Sequence, residues 1–315
     1  MRWLIAIYLG LYSAMSVAAL EGKKVLYLDS YHPGYEWSDG ILRGVKSVLS
    51  DTGVLLEVHY MDTKRNQELS FIENAGREAK QKIDEFKPDV LIAADDNASE
   101  FLVMPYYRNA DLPVVFCGVN WDEKKYGYPY SNTTGMVEVD PIEPMLEYFA
   151  YFTKGDRFAY VSGDTLTDHV IYREINERYF AGKLQFYVVK DFSEYRQLIK
   201  RIQHELDGLI LNNNVGIAEW DHQQAVAFSE TEIVIPTSTT APWMAEYTLF
   251  AVAKFPDEQG AWAARAALDV LEGKRVDQIP LTTNRFSILT ANMRIAKQLG
   301  VTFSLDDLQR ARLIK

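Results

Sequence analysis

The chain has 315 residues, 48% of them hydrophobic and 24% charged, which fits one large or two medium globular domains and excludes a disordered chain. Its 33 basic and 44 acidic residues give a formal net charge of −11, which tells against a nucleic-acid surface and against adhesion to anionic lipid. The one cysteine, Cys117, excludes an intramolecular disulfide and a multi-cysteine zinc cluster.

Residues 1–19 have the pattern of a secretory signal peptide. Arg2 supplies a short positive start, Trp3 to Met15 is largely apolar, and Ser16-Val17-Ala18 or Val17-Ala18-Ala19 offers small residues for cleavage after Ala18 or Ala19. The apolar run, about 17 residues, sits at the bottom of the membrane-spanning range, so cleavage is favoured over anchoring. No cysteine follows it, so a lipoprotein anchor is not expected, and the periplasm is the expected destination.

After Gly22 two kinds of segment alternate. Apolar runs rich in Val, Ile, Leu and aromatics predict buried strands at Lys24–Asp29, Leu55–Tyr60, Val90–Ala94 and Val114–Gly118. A second set falls at Phe158–Ser162, Leu184–Val189, Gly208–Leu211 and Ile233–Pro236. Between them, Ile41/Val45/Val48/Leu49, Ile72/Ala75/Ala79/Ile83/Phe86, Ile171/Ile175/Tyr179/Phe180 and Leu198/Ile199/Ile202 have the spacing of helices packing one stripe on a sheet. Asp191 with Glu194 predicts a capped start for the last of these. Residues 121–134 predict a loop between the two sets. Beyond them come a strand at Tyr247–Phe255, a helix at Asp257–Gly273, a strand at Arg285–Leu289 and helices at Ala291–Leu299 and Leu305–Ala311. The alternation implies an α/β protein with two doubly wound parallel-sheet lobes.

One stretch carries a resemblance. Leu271-Glu-Gly-Lys-Arg-Val-Asp-Gln-Ile-Pro280, followed by Ala291-Asn-Met-Arg-Ile-Ala-Lys-Gln-Leu-Gly300, resembles the end of the periplasmic substrate-binding proteins of ABC transporters, the tryptophan- or tyrosine-binding type. The resemblance spans roughly 23–312. Asp29-Ser-Tyr-His-Pro-Gly-Tyr-Glu-Trp-Ser-Asp39 is similar to a subgroup in which the module also serves as the sensor part of histidine kinases. The resemblance implies a type I periplasmic-binding-protein-like fold whose two lobes are joined by three hinge crossovers, near 120–137, 240–247 and 283–288. The N-terminal lobe would hold 20–133 plus 247–283, and the C-terminal lobe 137–245 plus 287–315. It further implies a small-molecule solute held between the lobes and a closed form read by a membrane ABC permease or a sensor histidine kinase. A monomer without cofactor or metal is expected.

Ligands of open parallel sheets sit beyond the carboxyl ends of the strands. The candidates are therefore Ser30, Tyr31, His32 and Trp37 after the first strand, Asp95, Asp96 and Asn97 after the third, and Asn120 and Trp121 after the fourth. The second lobe offers Asp164, Thr165, Asn212, Asn213, Thr237 and Trp243. Rings with a few orienting polar groups suit a small polar or aromatic solute. Plainer roles stand beside these: Trp37 as a helix staple, Asp96 or Asn97 as a helix cap, the Asn212–Asn214 run as turn chemistry, His32 as a partner of backbone. No arginine lies in these loops, so a bidentate clamp on a carboxylate is not expected. No nucleophile elbow, phosphate loop, dinucleotide fingerprint or zinc-protease motif occurs, and His59, His169, His204 and His222 have no metal-ligand spacing. A solute-binding role leads. An enzyme using Asp95 and Asp164, or a pure interaction module, would need turnover or a partner to support it.

Overall fold

A computed structural model describes residues 20–315; the expected signal peptide lies outside them. Thirteen strands are described in chain order: β1 (Lys24–Asp29), β2 (Leu55–Tyr60), β3 (Val90–Ala94), β4 (Val114–Asn120), β5 (Thr133–Glu138), β6 (Phe158–Ser162), β7 (Gln185–Val188), β8 (Gly208–Asn213), β9 (Thr237–Thr239), β10 (Phe250–Lys254), β11 (Thr282–Thr283), β12 (Ser287–Asn292) and β13 (Arg312–Ile314). The chain divides into two compact units, one ending at Val139 and resuming over Phe255–Asn284, the other Asp140–Lys254 with Arg285–Lys315. It therefore passes between units three times. Among the described residues no helix is long and apolar enough to cross a membrane.

The first unit holds a parallel sheet in the order β11-β5-β4-β3-β1-β2. Its central strands β1, β3 and β4 are apolar and buried on both faces because both faces are covered there. β1 sends Val25 and Tyr27 into one core with Ile41, Val45, Ile92 and Cys117. It sends Leu26 and Leu28 into another with Ala79, Ile83, Leu91 and Phe116. Cys117 is fully buried there, and burial raises its thiol pKa, so it is an inert packing group.

The returning segment is fastened by a close helix pair, Glu36–Leu49 against Pro256–Leu271. A Cβ at Gly44 or Gly260 would overlap a facing backbone carbonyl, that of Asp257 or Ile41. Glycine is the residue that permits this approach. Arg43 closes the pair with a two-pronged bond to Asp257 at 2.6 and 2.7 Å.

The second unit holds the order β13-β12-β10-β9-β8-β6-β7, parallel except where β10 meets β12. Asp191 accepts the Glu194 amide at 2.8 Å, and the Glu194 carboxylate takes the Lys190 amide at 2.9 Å, so the expected helix start at Phe192 is capped from both sides.

Three local expectations are corrected. The expected loop 121–134 gives way at Thr133 to an unforeseen buried strand, Thr133–Glu138, which belongs with the first unit, so the first passage falls after Val139 rather than within 120–137. Tyr247–Lys254 belongs to the second unit, because β10 pairs with β9 and β12; the second passage falls after Lys254. The strand expected at Ile233–Pro236 starts at Thr237, since proline has no N–H to give a ladder.

Asn284, which ends the first unit's last segment, clamps the residue where its first segment ends. Its Oδ1 accepts the Val139 amide at 2.8 Å and its Nδ2 donates to the Val139 carbonyl at 3.0 Å. Gln259 adds a bond to the same Oδ1 at 3.4 Å and accepts the Gly118 amide at 3.0 Å. Asn284→Ala is expected to cost about 1–2 kcal/mol, as the half-buried Val139 amide and carbonyl lose their partner. Urea denaturation checks it; an unchanged midpoint would mean that water replaces the clamp.

Candidate ligand-binding site

Each sheet reverses its strand order once near the middle, between β1 and β3 in the first unit and between β6 and β8 in the second. Helices leave to opposite faces at such a point and open a crevice at the strand ends. The candidate residues gather at these two places.

At the first reversal, Asp29 closes β1 fully buried. It accepts the Tyr27 hydroxyl at 2.7 Å, the Tyr31 amide at 2.8 Å and the Ser38 hydroxyl at 2.8 Å. Burial raises its pKa, and these donors work against the rise. Asp95, the first residue beyond β3, is also fully buried. Its Oδ1 accepts the Trp37 indole N–H at 3.0 Å, and its Oδ2 has no partner. Burial first, then the charges of Asp29, Glu138 and Asp96, push the Asp95 pKa well above the carboxylate range. Asp96 accepts the Tyr126 hydroxyl at 2.7 Å and the Asn120 amide at 2.8 Å, and pairs with Lys125 at 3.2 Å.

The half-buried Tyr31 is drawn into the same group: burial, then Asp95, Asp96 and Glu138, raise its hydroxyl pKa far above the usual value. Trp121, the first residue beyond β4, is buried and its amide donates to the Glu138 carbonyl at 2.9 Å. Asp95 and Trp121 both adopt the left-handed region, with φ +71° and +54°. Such backbones cost of order 1–3 kcal/mol and concentrate at ligand sites.

The remaining first-unit candidates spend their polar atoms on the protein. The Ser30 hydroxyl donates to the Ala94 carbonyl at 2.6 Å and accepts the Ala98 amide at 2.8 Å, tying β1 to the helix after β3. Asn97 donates to Thr63 at 2.8 Å. His32 bonds the Pro33 carbonyl through Nδ1 at 3.0 Å, as its plainer role anticipated.

At the second reversal the organiser is Asp168, a fully buried carboxylate in the first turn of the helix Leu166–Tyr179. It accepts the Tyr160 hydroxyl at 2.9 Å, the Asn213 amide at 3.1 Å and the Thr165 hydroxyl. Thr165 also caps the helix, accepting the Asp168 amide at 3.1 Å. Asn212 accepts the Thr240 hydroxyl at 2.8 Å and helps to lower the raised pKa of the buried Tyr160 hydroxyl. Thr165, Asn212 and Asn213 thus form one network. Thr237 is apart from it, fully buried and accepting the Leu249 amide at 2.9 Å. Asp164 is exposed and meets His169 at 3.0 Å. Trp243 is 60% exposed in the turn Pro242–Tyr247.

A model of the family described as ABC transporter substrate binding protein matches residues 31–313. The chain belongs to this family. No curated protein matches it. Among solved structures it is similar to a substrate binding protein with adhesive properties from Clostridium difficile, ligand-free and open, at TM-score 0.72 and 16% identity over 93% of this chain and 99% of that one. It is also similar to an ABC domain in complex with L-Trp from Streptococcus pneumonia, at TM-score 0.58 and 17% identity over 93% and 100% of the two chains. A leucine binding protein from Thermotoga maritima follows at TM-score 0.52 and 15% identity, over 88% and 87%. At these identities the likeness is one of fold. The fold is that of type I periplasmic binding proteins.

The rings and the amide and carboxyl edges gathered at the two reversals are the candidate solute-facing groups. Sequence reasoning missed Asp29, Tyr126 and Glu138 in the first unit and Tyr160 and Asp168 in the second. Asp168 had a signal: Thr165-x-x-Asp168 is a helix-start pattern. Glu138 had none, because its strand was not recognised. A cavity of about 460 Å³ between the helices Phe192–Ile202 and His222–Thr231 is lined by none of these residues.

Proposed function

We propose that this protein is a non-enzymatic solute carrier. It captures a small polar or aromatic solute between its two lobes by hinge closure and presents it, outside the cytoplasmic membrane, to an ABC permease. The family match over 31–313 carries this reading. The three passages between units support it, because a chain crossing three times can bend there without unfolding either core. Strand-end chemistry adds support: Tyr31, Trp37, Asp95, Asp96 and Asn120 converge in one unit, and Thr165, Asn212 and Asn213 in the other.

A thermal-shift screen against amino acids, sugars, polyamines, nucleosides and organic acids tests it. A solute at a hundredfold its dissociation constant adds about 2.7 kcal/mol of stability. At roughly 2–4 °C per kcal/mol, the midpoint should rise by several degrees. A folded protein that responds to no class of solute would end the proposal.

A further inference from the structure

β2 is the outer strand of the first sheet and, among the described residues, pairs only with β1. The Leu55 amide, and the Met61 amide just beyond the strand, donate to the Lys23 and Asp29 carbonyls at 2.7 and 2.8 Å. By the alternation of a strand ladder, the backbone groups of Leu56, Val58 and Tyr60 point away from β1. The other edge strands are shorter: two residues in β11, three in β13 and four in β7, against six in β2. Edges are ordinarily blunted by proline, lysine, a bulge or brevity. Leu-Leu-Glu-Val-His-Tyr has none of these, its register on β1 is unbroken, and Leu55 is 52% exposed.

The strand is also complementary to itself. Set antiparallel to a second copy about a two-fold axis at Val58, it places Leu56 opposite Tyr60 and Glu57 opposite His59, each twice. Leu56, Val58 and Tyr60 then extend the apolar face that packs with Ile41 and Val45. On the other face Glu57 is paired with Lys82. Burial, then the Lys82 charge, lowers the His59 pKa, so His59 is neutral at pH 7 and brings a carboxylate a ring N–H without a charge. Sliding the copies by two residues destroys the match: Glu57 meets Glu57 in one direction, and His59 meets His59 in the other. A one-residue slip sets outward-facing groups opposite inward-facing ones. The chain carries −11 overall, but this strand has one carboxylate, and that one already has its lysine.

We infer that β2 is a self-association surface: two copies of this chain join antiparallel along it, Val58 against Val58, and make their first-unit sheets continuous. This departs from the expected monomer and is independent of which solute is bound.

Sedimentation velocity of the purified protein from about 1 to 100 μM should show a monomer–dimer equilibrium. Val58→Pro removes an outward N–H that β1 does not use and should weaken the dimer about tenfold or more. His59→Glu sets carboxylates opposite each other and should do the same, and adding Glu57→Gln to it should restore most of the lost association. Because proline can disturb the strand itself, a cross-link tests the register separately. Val58→Cys meets its copy at a Cα separation of about 5.5 Å, within disulfide reach, and should oxidise to a linked dimer. Leu55→Cys, at a more exposed position, lies about 20 Å from its copy in this register and should not. Cys117 is buried and does not compete. A monomer at every concentration would overturn the inference. So would a dimer indifferent to Val58→Pro and His59→Glu, growth beyond a dimer, or cross-linking of Leu55→Cys as readily as of Val58→Cys.

Discussion

Replacing Asp168 by alanine is expected to destabilise the second unit by about 3 kcal/mol or more, because several donors lose their acceptor at once and each buried one left unmet costs about 1–3 kcal/mol. The carboxylate is fully buried and takes donors from three directions: Tyr160 from β6, Thr165 from the helix start and Asn213 from the end of β8. Alanine leaves a void where these donors met. The Tyr160 ring is itself fully buried, so water reaches its hydroxyl poorly. Asp168→Asn should cost less, about 1–2 kcal/mol, since its carbonyl still accepts from Tyr160 while its NH2 opposes the Asn213 amide. Hydrogen exchange assigns the loss to its place: amides of β6 and β8 should exchange faster in Asp168→Ala, while those of β1 and β3 keep their protection. An alanine variant as stable as the parent would show that the network reorganises around the gap.

The same network shows what a sequence carries and what it does not. β1, β3 and β6 were legible to the residue because short runs of four or five consecutive apolar residues, rich in Val, Ile, Leu and aromatics, suit strands buried on both faces. Convergence at the first reversal was legible too, because the strand-end rule picks out Tyr31, Asp95, Asp96 and Asn120 without any contact information. β5 was not legible. Its Thr-Thr-Gly-Met-Val-Glu has two large apolar residues, and the tyrosines before it suggested an aromatic loop. In the structure those tyrosines are core: Tyr128 stacks on Phe116 with centroids 4.2 Å apart. Glu138 was lost with its strand. β10 was legible as a strand but not as a member of the second sheet, because its neighbours β9 and β12 are chosen by non-local pairing that no local pattern records.

Asp95→Asn should make the protein more stable, by an amount that grows with pH. The Asp95 pKa is raised in the folded state by burial and by Asp29, Glu138 and Asp96, so the folded chain holds a proton that the unfolded chain releases. The sign follows: stability from this group is fully present below the unfolded carboxyl value of about 3.9 and is lost as pH rises from there through the raised folded value. Asparagine cannot ionise and loses nothing. Its Oδ1 still accepts the Trp37 indole N–H, and it tolerates the φ of +71° at this position as well as aspartate does. Calorimetric scans at pH 5 and pH 8 should give a small gain at the lower pH and a clearly larger gain at the higher, because the raised folded value makes the parent lose stability as the carboxyl of the unfolded chain ionises. Asp29, raised in the same direction, keeps part of the parent slope in the variant. An equal gain at both pH values would place the effect in packing rather than ionisation, and a loss at pH 8 would mean that a positive partner holds Asp95 charged.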